Sequence, residues 1–233
     1  MKPTSWVQSA NLAVEGIIYS VKTQRHMRYH LYAALLALVL SLVLNIPRTE
    51  FILLCMAIVL VLVTEMLNTA IETTIDLISE EFHPKAKAAK DIAAGVVLIA
   101  SLGALTLAYL ILYPALRISL SSGSWYLRKA PDDVVAFVSL AVVIIMVIII
   151  KAFLGKGEPF RGGMPSGHAA VSFSIWTASL YLADSLAIII LILLLAVMVS
   201  WSRWSFGIHK PIEVVVGALL GLVVTLLFFL LFT

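Results

Sequence analysis

The chain has 233 residues, 62% of them apolar and 12% charged, with a mean hydropathy of +1.07. Soluble domains carry about 25% charged residues, so a water-soluble globule is excluded and a bilayer protein is expected. The net charge of +3 has no basic stripe with interleaved aromatics behind it, which argues against nucleic acid and suits anionic lipid head groups.

In chain order, the first thirty residues lack the uninterrupted apolar core of a cleavable signal peptide. Trp6, Ala10, Ala13, Ile17 and Val21 instead recur at helical spacing, while Lys2, Lys22, Arg25 and Arg28 are basic, the pattern of an amphipathic helix lying on a membrane surface. A transmembrane helix takes about 20 apolar residues. Segments 29–46, 50–78, 91–112, 131–150, 168–183, 185–200 and 211–232 qualify, the fifth and sixth being short. The expected fold is therefore all-α and integral to the membrane, a surface helix followed by about seven spans. The single cysteine, Cys55, lies in an apolar run, so no intramolecular disulfide forms. One long polar interruption, "PALRISLSSGSWYLRKAPDD", is rich in Ser, Gly and Pro and reads as a connection. It divides the chain into residues 1–113, a linker 114–130 and residues 131–233. No repeat relates the halves.

The first half concentrates carboxylates. Glu65, Asn68, Glu72 and Asp76 are spaced by three, four and four residues, one stripe of a helix. Charges at membrane depth cost a few kcal/mol each and normally face a protein interior or a watery site, although the end of the stripe also suits a helix emerging into water. Carboxylates in a partly dry site bind a divalent cation through oxygen, or take a proton from an alcohol. The loop that follows adds His83, Lys85, Lys87 and Lys90, cations suited to nucleotide phosphates. Positioning and charge neutralisation are what phosphoryl transfer to a lipid hydroxyl requires.

The stretch "ExxNTAIExxxD…EFHxxAKxxKDIAAG", Glu65 to Gly95, resembles the small bacterial diacylglycerol kinase and undecaprenol kinase family, trimeric three-helix membrane enzymes. The resemblance extends over about residues 5–113. It implies Glu65 as catalytic base, Glu72 as ligand of ATP-bound Mg²⁺, Asn68 lining the site, and Glu81, His83, Lys90 and Asp91 as nucleotide contacts. It also implies a homo-oligomer, the family form being a trimer. One departure stands out: where the family carries a second metal-binding Glu before its first membrane helix, this chain has Gln24. An amide still offers an oxygen, without charge.

The second half concentrates His, Arg, Ser and Gly in "KAFLGKGEP", "PSGH" and "SRWSFGIHKPIE", each at the edge of an apolar segment. The first two share a loop, and two crossings separate them from the third, so all three meet on one membrane face. Phosphate esters hydrolyse very slowly unaided, and a covalent phospho-enzyme divides the barrier. His209 suits the nucleophile, with Glu213 one helical turn later orienting its imidazole, and His168 suits the proton donor to the leaving alcohol. Arg203, Lys151 and the Ser166–Gly167 backbone at a helix N-terminus suit the phosphoryl oxygens. No metal is needed for this half.

This set resembles the type 2 phosphatidic acid phosphatase superfamily, with its pattern KxxxxxxRP…PSGH…SRxxxxxHxxxD, over about residues 131–233. Two positions depart: Glu158 stands where Arg is expected, and Glu213 replaces Asp. Arg161, with Lys156, is expected to restore the lost phosphate-binding charge.

Together these readings give three kinase-like and four phosphatase-like spans. The expected function is a lipid phosphatase acting through a phosphohistidine, fused to an ATP- and Mg²⁺-dependent lipid kinase-like domain, with a membrane lipid as substrate. Counting crossings from a cytosolic ATP site puts both active sites on the cytoplasmic face of a bacterial-type inner membrane. The alternatives are a non-catalytic oligomerising scaffold for the first half, and a transporter or channel for the whole.

Overall fold

A computed structural model describes residues 6–79, 81–121, 129–154 and 163–233, apart from the side chain of Val7. All regular structure among them is helical, in eight helices: α1 (Trp6–Thr23), α2 (Arg25–Val43), α3 (Arg48–Ile78), α4 (Pro84–Ser121), α5 (Asp132–Leu154), α6 (Gly167–Leu182), α7 (Leu186–Ser205) and α8 (Pro211–Phe232). Six of them, α2, α3, α4, α5, α7 and α8, are long and apolar enough to cross a membrane. The 16 residues of α6 rise only about 24 Å, short of a hydrocarbon core of about 30 Å. The expectation of about seven spans is thus met in length by six.

The described chain falls into two compact units, Thr23–Tyr126 and a second made of Met1–Lys22 with Leu127–Thr233. In the first, α3 packs chiefly on α4 and also on α2. The buried face of α2, Met27, Leu31, Ala34, Leu38 and Leu42, repeats every three or four residues, as one helical stripe must. The 31 residues of α3 extend about 46 Å, so its apolar N-terminal half is followed by turns that carry the polar stripe. A difference from expectation lies in α4, which runs through Pro114 to Ser121. The stretch read as linker from residue 114 is helical for its first eight residues. Pro114 lacks a donor, but a long apolar helix tolerates one missing backbone bond.

In the second unit α6 is the hub, packing on α8 most extensively and on α7 and α5 as well. Its seam with α8 can be followed residue by residue. A Cβ on Gly217 would lie 2.3 Å from the Ser166 carbonyl oxygen, and one on Gly221 would lie 2.0 Å from that of Ala170. Next come the buried Ser174–Thr225 hydroxyl pair, 2.7 Å apart, and the stacked rings of Tyr181 and Phe229, 4.2 Å between centroids. Numbering rises together on both helices, so α6 and α8 run parallel, and both N-termini stand at one end. Only glycine allows backbones this close. At the same end α5 brings its C-terminal half, since Val147 Cγ1 would be 3.3 Å from a Cβ on Gly167.

Helix α1 forms over residues predicted to be helical, with Val21 buried and Trp6 93% exposed.

Candidate active sites

In the unit Thr23–Tyr126 the helical stripe on α3 becomes a hydrogen-bonded cluster. Glu65 and Asn68 are buried. Asn68 Nδ2 donates to Glu72 Oε1 at 3.0 Å, and Gln24 Nε2, from the turn before α2, donates to Glu72 Oε2 at 3.2 Å. Gln24 and Glu72, 48 positions apart in sequence, are thus brought together by the fold. Asn68 Oδ1 is buried without a partner among the described residues. A buried acceptor left unsatisfied costs about 1–3 kcal/mol, which a hydroxyl or cation at this point would relieve. His26, not singled out in the sequence, lies within electrostatic reach of Glu65.

The expected nucleotide contacts are spread over the following turn and the start of α4. Lys90 is ion-paired with Asp76, and Asp91 with Lys87 at 2.8 Å. Glu81 and His83 are exposed, with His83 Nδ1 accepting the Lys85 N–H at 3.2 Å. Asp76 thus serves as a counter-ion rather than extending the Glu72 cluster. No group of three or more His, Cys, Asp or Glu side chains able to hold a metal occurs among the described residues. Glu72 carries one charge, and the amide oxygens of Asn68 and Gln24 are neutral donors. Hard oxygen ligands of this kind suit Mg²⁺ that arrives with phosphate oxygens of its own.

The second site sits at the shared end of α5, α6, α7 and α8. Helix α7 stops at Ser205 and Gly207, at φ +66°, turns the chain, the left-handed residue that commonly ends a helix. The Arg203 carbonyl then accepts the N–H groups of Ile208 and His209. Pro211 occupies the first turn of α8, where its missing donor is harmless. His209 Nδ1 meets Glu213 Oε2 at 2.8 Å, and the imidazole is buried. The same carboxylate accepts the Lys210 N–H at 3.2 Å and a backbone hydrogen bond from Gly163. The Glu213 carbonyl accepts the Ser166 N–H at 2.9 Å. One residue therefore ties the loop before α6 to the start of α8.

Around this knot, His168 is within electrostatic reach of Arg203, His209 and Lys151. Glu213 engages Nδ1 of His209, which leaves Nε2 as the ring atom for other chemistry. The burial of His209, together with the charges of Lys151 and Arg203, lowers its pKa below the ordinary imidazole value, against the opposing pull of Glu213. A neutral imidazole with a free Nε2 lone pair is what a nucleophile needs. Ser166 Oγ and Arg203 Nε are buried without partners among the described residues. Both are donors, as an oxyanion requires.

The structure thus brings Lys151, Ser166, Gly167, His168, Arg203, His209 and Glu213 to one end of one helical unit. Lys156 and Arg161, with Glu158, lie outside the described residues. Gly163 has a φ of +90°, a backbone state that favours glycine. Sequence reading missed Gly217 and Gly221. Their signal was the small-residue spacing "GALLG" within an apolar run.

Comparison with known proteins finds two families along the chain. The family described as prokaryotic diacylglycerol kinase matches residues 11–112, and the PAP2 superfamily matches residues 152–233. The chain is 32% identical over 123 residues to a diacylglycerol kinase of Synechocystis sp., covering 50% of this chain and 70% of the relative. It is 36% identical over 104 residues to an undecaprenol kinase of Bacillus subtilis, covering 45% of this chain and 85% of the relative. A diacylglycerol kinase of Escherichia coli is 32% identical over 97 residues, 42% of this chain and 80% of the relative. No solved structure matches.

Proposed function

We propose, since the chain belongs to the prokaryotic diacylglycerol kinase family through its N-terminal half and carries a PAP2 superfamily domain in its C-terminal half, that it is a membrane lipid phosphatase joined to an ATP-dependent lipid kinase. The observation that carries the phosphatase is the His209–Glu213 pair at 2.8 Å, tied through Glu213 to the loop that precedes His168.

In this mechanism His209 Nε2 attacks phosphorus in line with the ester oxygen. An N–P bond forms and the P–O bond breaks. The electron pair leaves with the lipid oxygen, which takes a proton from His168 Nε2 or Nδ1. Water then attacks the phosphohistidine and gives its proton to His168. The N–P bond breaks, orthophosphate leaves, and the histidines return to their starting states. Glu213 stabilises the positive charge that develops on the His209 ring. Arg203, Lys151 and the donors at Ser166 and Gly167 neutralise the phosphoryl oxygens, the largest contribution that such a site makes. Lys156 and Arg161 are assigned to the same oxygens. This half needs no metal.

In the kinase half Glu65 accepts the proton of a lipid hydroxyl, prenol or diacylglycerol, as its oxygen attacks the terminal phosphorus of ATP. Glu72, with the amide oxygens of Asn68 and Gln24, would hold the Mg²⁺ that neutralises the nucleotide phosphates. Glu81, His83, Lys90 and Asp91 are the nucleotide contacts, and a homo-oligomer built through this half is the assembly. Both sites work on the cytoplasmic face of the inner membrane. Opposed reactions on one lipid would only consume ATP, so the two halves take different lipids or phosphorylation states.

The test uses the purified full-length chain. Lipid phosphate labelled at phosphorus should leave acid-labile, base-stable label on the wild-type protein and none on His209→Ala. Transfer of ATP phosphate to undecaprenol or diacylglycerol should survive His209→Ala and fail in Glu65→Gln. Phosphate release undiminished in His209→Ala would overturn the phosphatase mechanism. Release without any transfer from ATP would leave the first half a scaffold.

A further inference from the structure

A hydroxyl inside an α-helix has a ready partner, the carbonyl three or four residues earlier. Ser172 Oγ donates to the His168 carbonyl at 2.7 Å, Thr177 Oγ1 to that of Phe173 at 2.8 Å, and Ser202 Oγ to that of Val199 at 2.7 Å. Ser200 makes no such bond. The residue is only 7% exposed, and its Oγ is buried without a hydrogen-bond partner among the described residues. A buried hydroxyl in this state is costly, and it suits a polar group that arrives and departs.

Two independent observations place Ser200 at the phosphatase site. The first is its face. Ala196 and Ser200 are the buried residues of α7, and Arg203 follows at the next turn, so spacings of four and three put all three on one stripe. Helix α7 packs chiefly on α6, and this stripe is therefore the one turned toward α6. The second is its level. Helix α6 ends at Leu182 and α7 starts at Leu186, a tight antiparallel hairpin. His168 is fourteen residues before Leu182, and Ser200 fourteen after Leu186. At 1.5 Å per residue both stand roughly 21 Å from the turn. Ser200 thus faces the helix that carries His168, at the height of His168 itself.

Arg203 lies one turn nearer the water. Its Nε is buried and unpartnered among the described residues, as is Ser166 Oγ, and these two donors suit the phosphoryl oxygens. A lipid phosphate held there carries its ester oxygen on the bilayer side, because the tail leaves from that side. That is the level of His168 and Ser200.

We infer that Ser200 binds the oxygen that departs from phosphorus and the one that replaces it, and that its chief effect is to place the attacking water. The inference rests on the phosphatase reading above. As the P–O bond breaks, the Ser200 O–H donates a hydrogen bond to the ester oxygen, which takes its proton from His168. When water replaces the alcohol, one water proton passes to His168 and the other is hydrogen-bonded to Ser200 Oγ, as the O–P bond forms and the N–P bond breaks. Ser200 keeps its own proton throughout, a hydroxyl being donor and acceptor at once. The two steps depend on it unequally. The ester oxygen is already fixed by its bond to phosphorus, whereas water is placed only by its hydrogen bonds.

The experiment is a single turnover of the purified full-length chain, in excess over phosphatidic acid or undecaprenyl phosphate labelled at phosphorus, whichever the wild type hydrolyses. Acid-labile label on the protein rises as the phosphohistidine forms and decays as water attacks it. In Ser200→Ala the decay should slow about tenfold, the effect of one lost hydrogen bond, while the rise changes by less than about threefold. The melting temperature should hold or increase, since the substitution removes an unsatisfied buried group. Ser200→Thr and Ser200→Val introduce side chains of one shape that differ in the hydroxyl. The threonine variant should keep the decay within about threefold of wild type, and the valine variant should match Ser200→Ala. An unchanged decay in Ser200→Ala, an equal slowing of rise and decay, or equal behaviour of the threonine and valine variants overturns the proposal. So does a lowered melting temperature in Ser200→Ala, which would make the hydroxyl a packing element. Absence of label from the wild type, or label that persists in His209→Ala, would instead overturn the phosphatase reading itself.

Discussion

Gly217→Ala tests whether the parallel seam of α6 and α8 sets the geometry of the phosphatase site. The added Cβ would stand 2.3 Å from the Ser166 carbonyl oxygen and 3.1 Å from the Ser166 nitrogen and carbonyl carbon. Contact begins at about 3.5 Å, so the helices must part by about 1 Å at this level. The obstacle is backbone, which cannot swing aside as a side chain would. The Ser166 N–H reaches the Glu213 carbonyl at 2.9 Å, and a separation of that size takes it beyond the usual limit of about 3.2 Å. Stability should change little: overpacking costs about 1–3 kcal/mol, while alanine in a helix recovers about 1 kcal/mol over glycine. Catalysis should suffer more, because a misplacement of about 1 Å at a reacting centre costs about 100-fold. Phosphate release from a lipid phosphate should therefore show kcat down about 100-fold, with the melting temperature lowered by only a few degrees. The kinase activity of the same preparation reports that the other unit is intact. Gly221→Ala, one turn further from Glu213, should reverse the balance, with a larger loss of stability and a smaller loss of kcat. A Gly217→Ala protein that keeps more than a third of the wild-type kcat would refute the reasoning.

Three further outcomes are expected. The acid limb of kcat/KM for phosphate release should lie below about pH 6.5, because the buried His209 holds its proton less tightly than a free imidazole. Glu213→Gln removes the charge that opposes this shift, so its limb should move further to acid as kcat falls, which a pH profile of both proteins checks. By linkage, stability attributable to His209 is present above its unfolded value and declines as pH falls below about 6.5, since the unfolded imidazole then binds a proton that the folded one does not. Gln24→Glu supplies a second carboxylate beside Glu72 and should lower the Mg²⁺ concentration needed for half-maximal kinase activity by about tenfold; an unchanged Mg²⁺ titration counts against Gln24 as a metal ligand. Arg161→Ala should abolish phosphate release while Glu158→Gln retains it, and the opposite pattern would reject Arg161 as the substitute for the missing first-motif arginine.

How much of this was legible before the fold depended on the range of the interaction. The stripe Glu65, Asn68 and Glu72 obeys helical periodicity, and the Asn68–Glu72 bond is its local consequence. His209 and Glu213 stand one turn apart and meet for the same reason. The apolar segments also appear as helices, because hydropathy and length act over neighbouring residues. Pro114 misled because a proline reads as a break in isolation, whereas α4 carries enough apolar sequence on both sides to continue through it. What the sequence could not convey is pairing at a distance. Nothing local says that Asp76 will hold Lys90, that Gln24 will face Glu72, or that Glu213 will gather donors from the loop before α6. That last arrangement follows from chain direction. Helices α6 and α8 are separated by one antiparallel helix, so they are parallel, and any residues placed at their N-termini must share an end. Gly217 and Gly221 then determine how closely those ends approach. In the proposed mechanism the histidines carry the chemistry, and two glycines with no reactive atom set the distance over which it would operate.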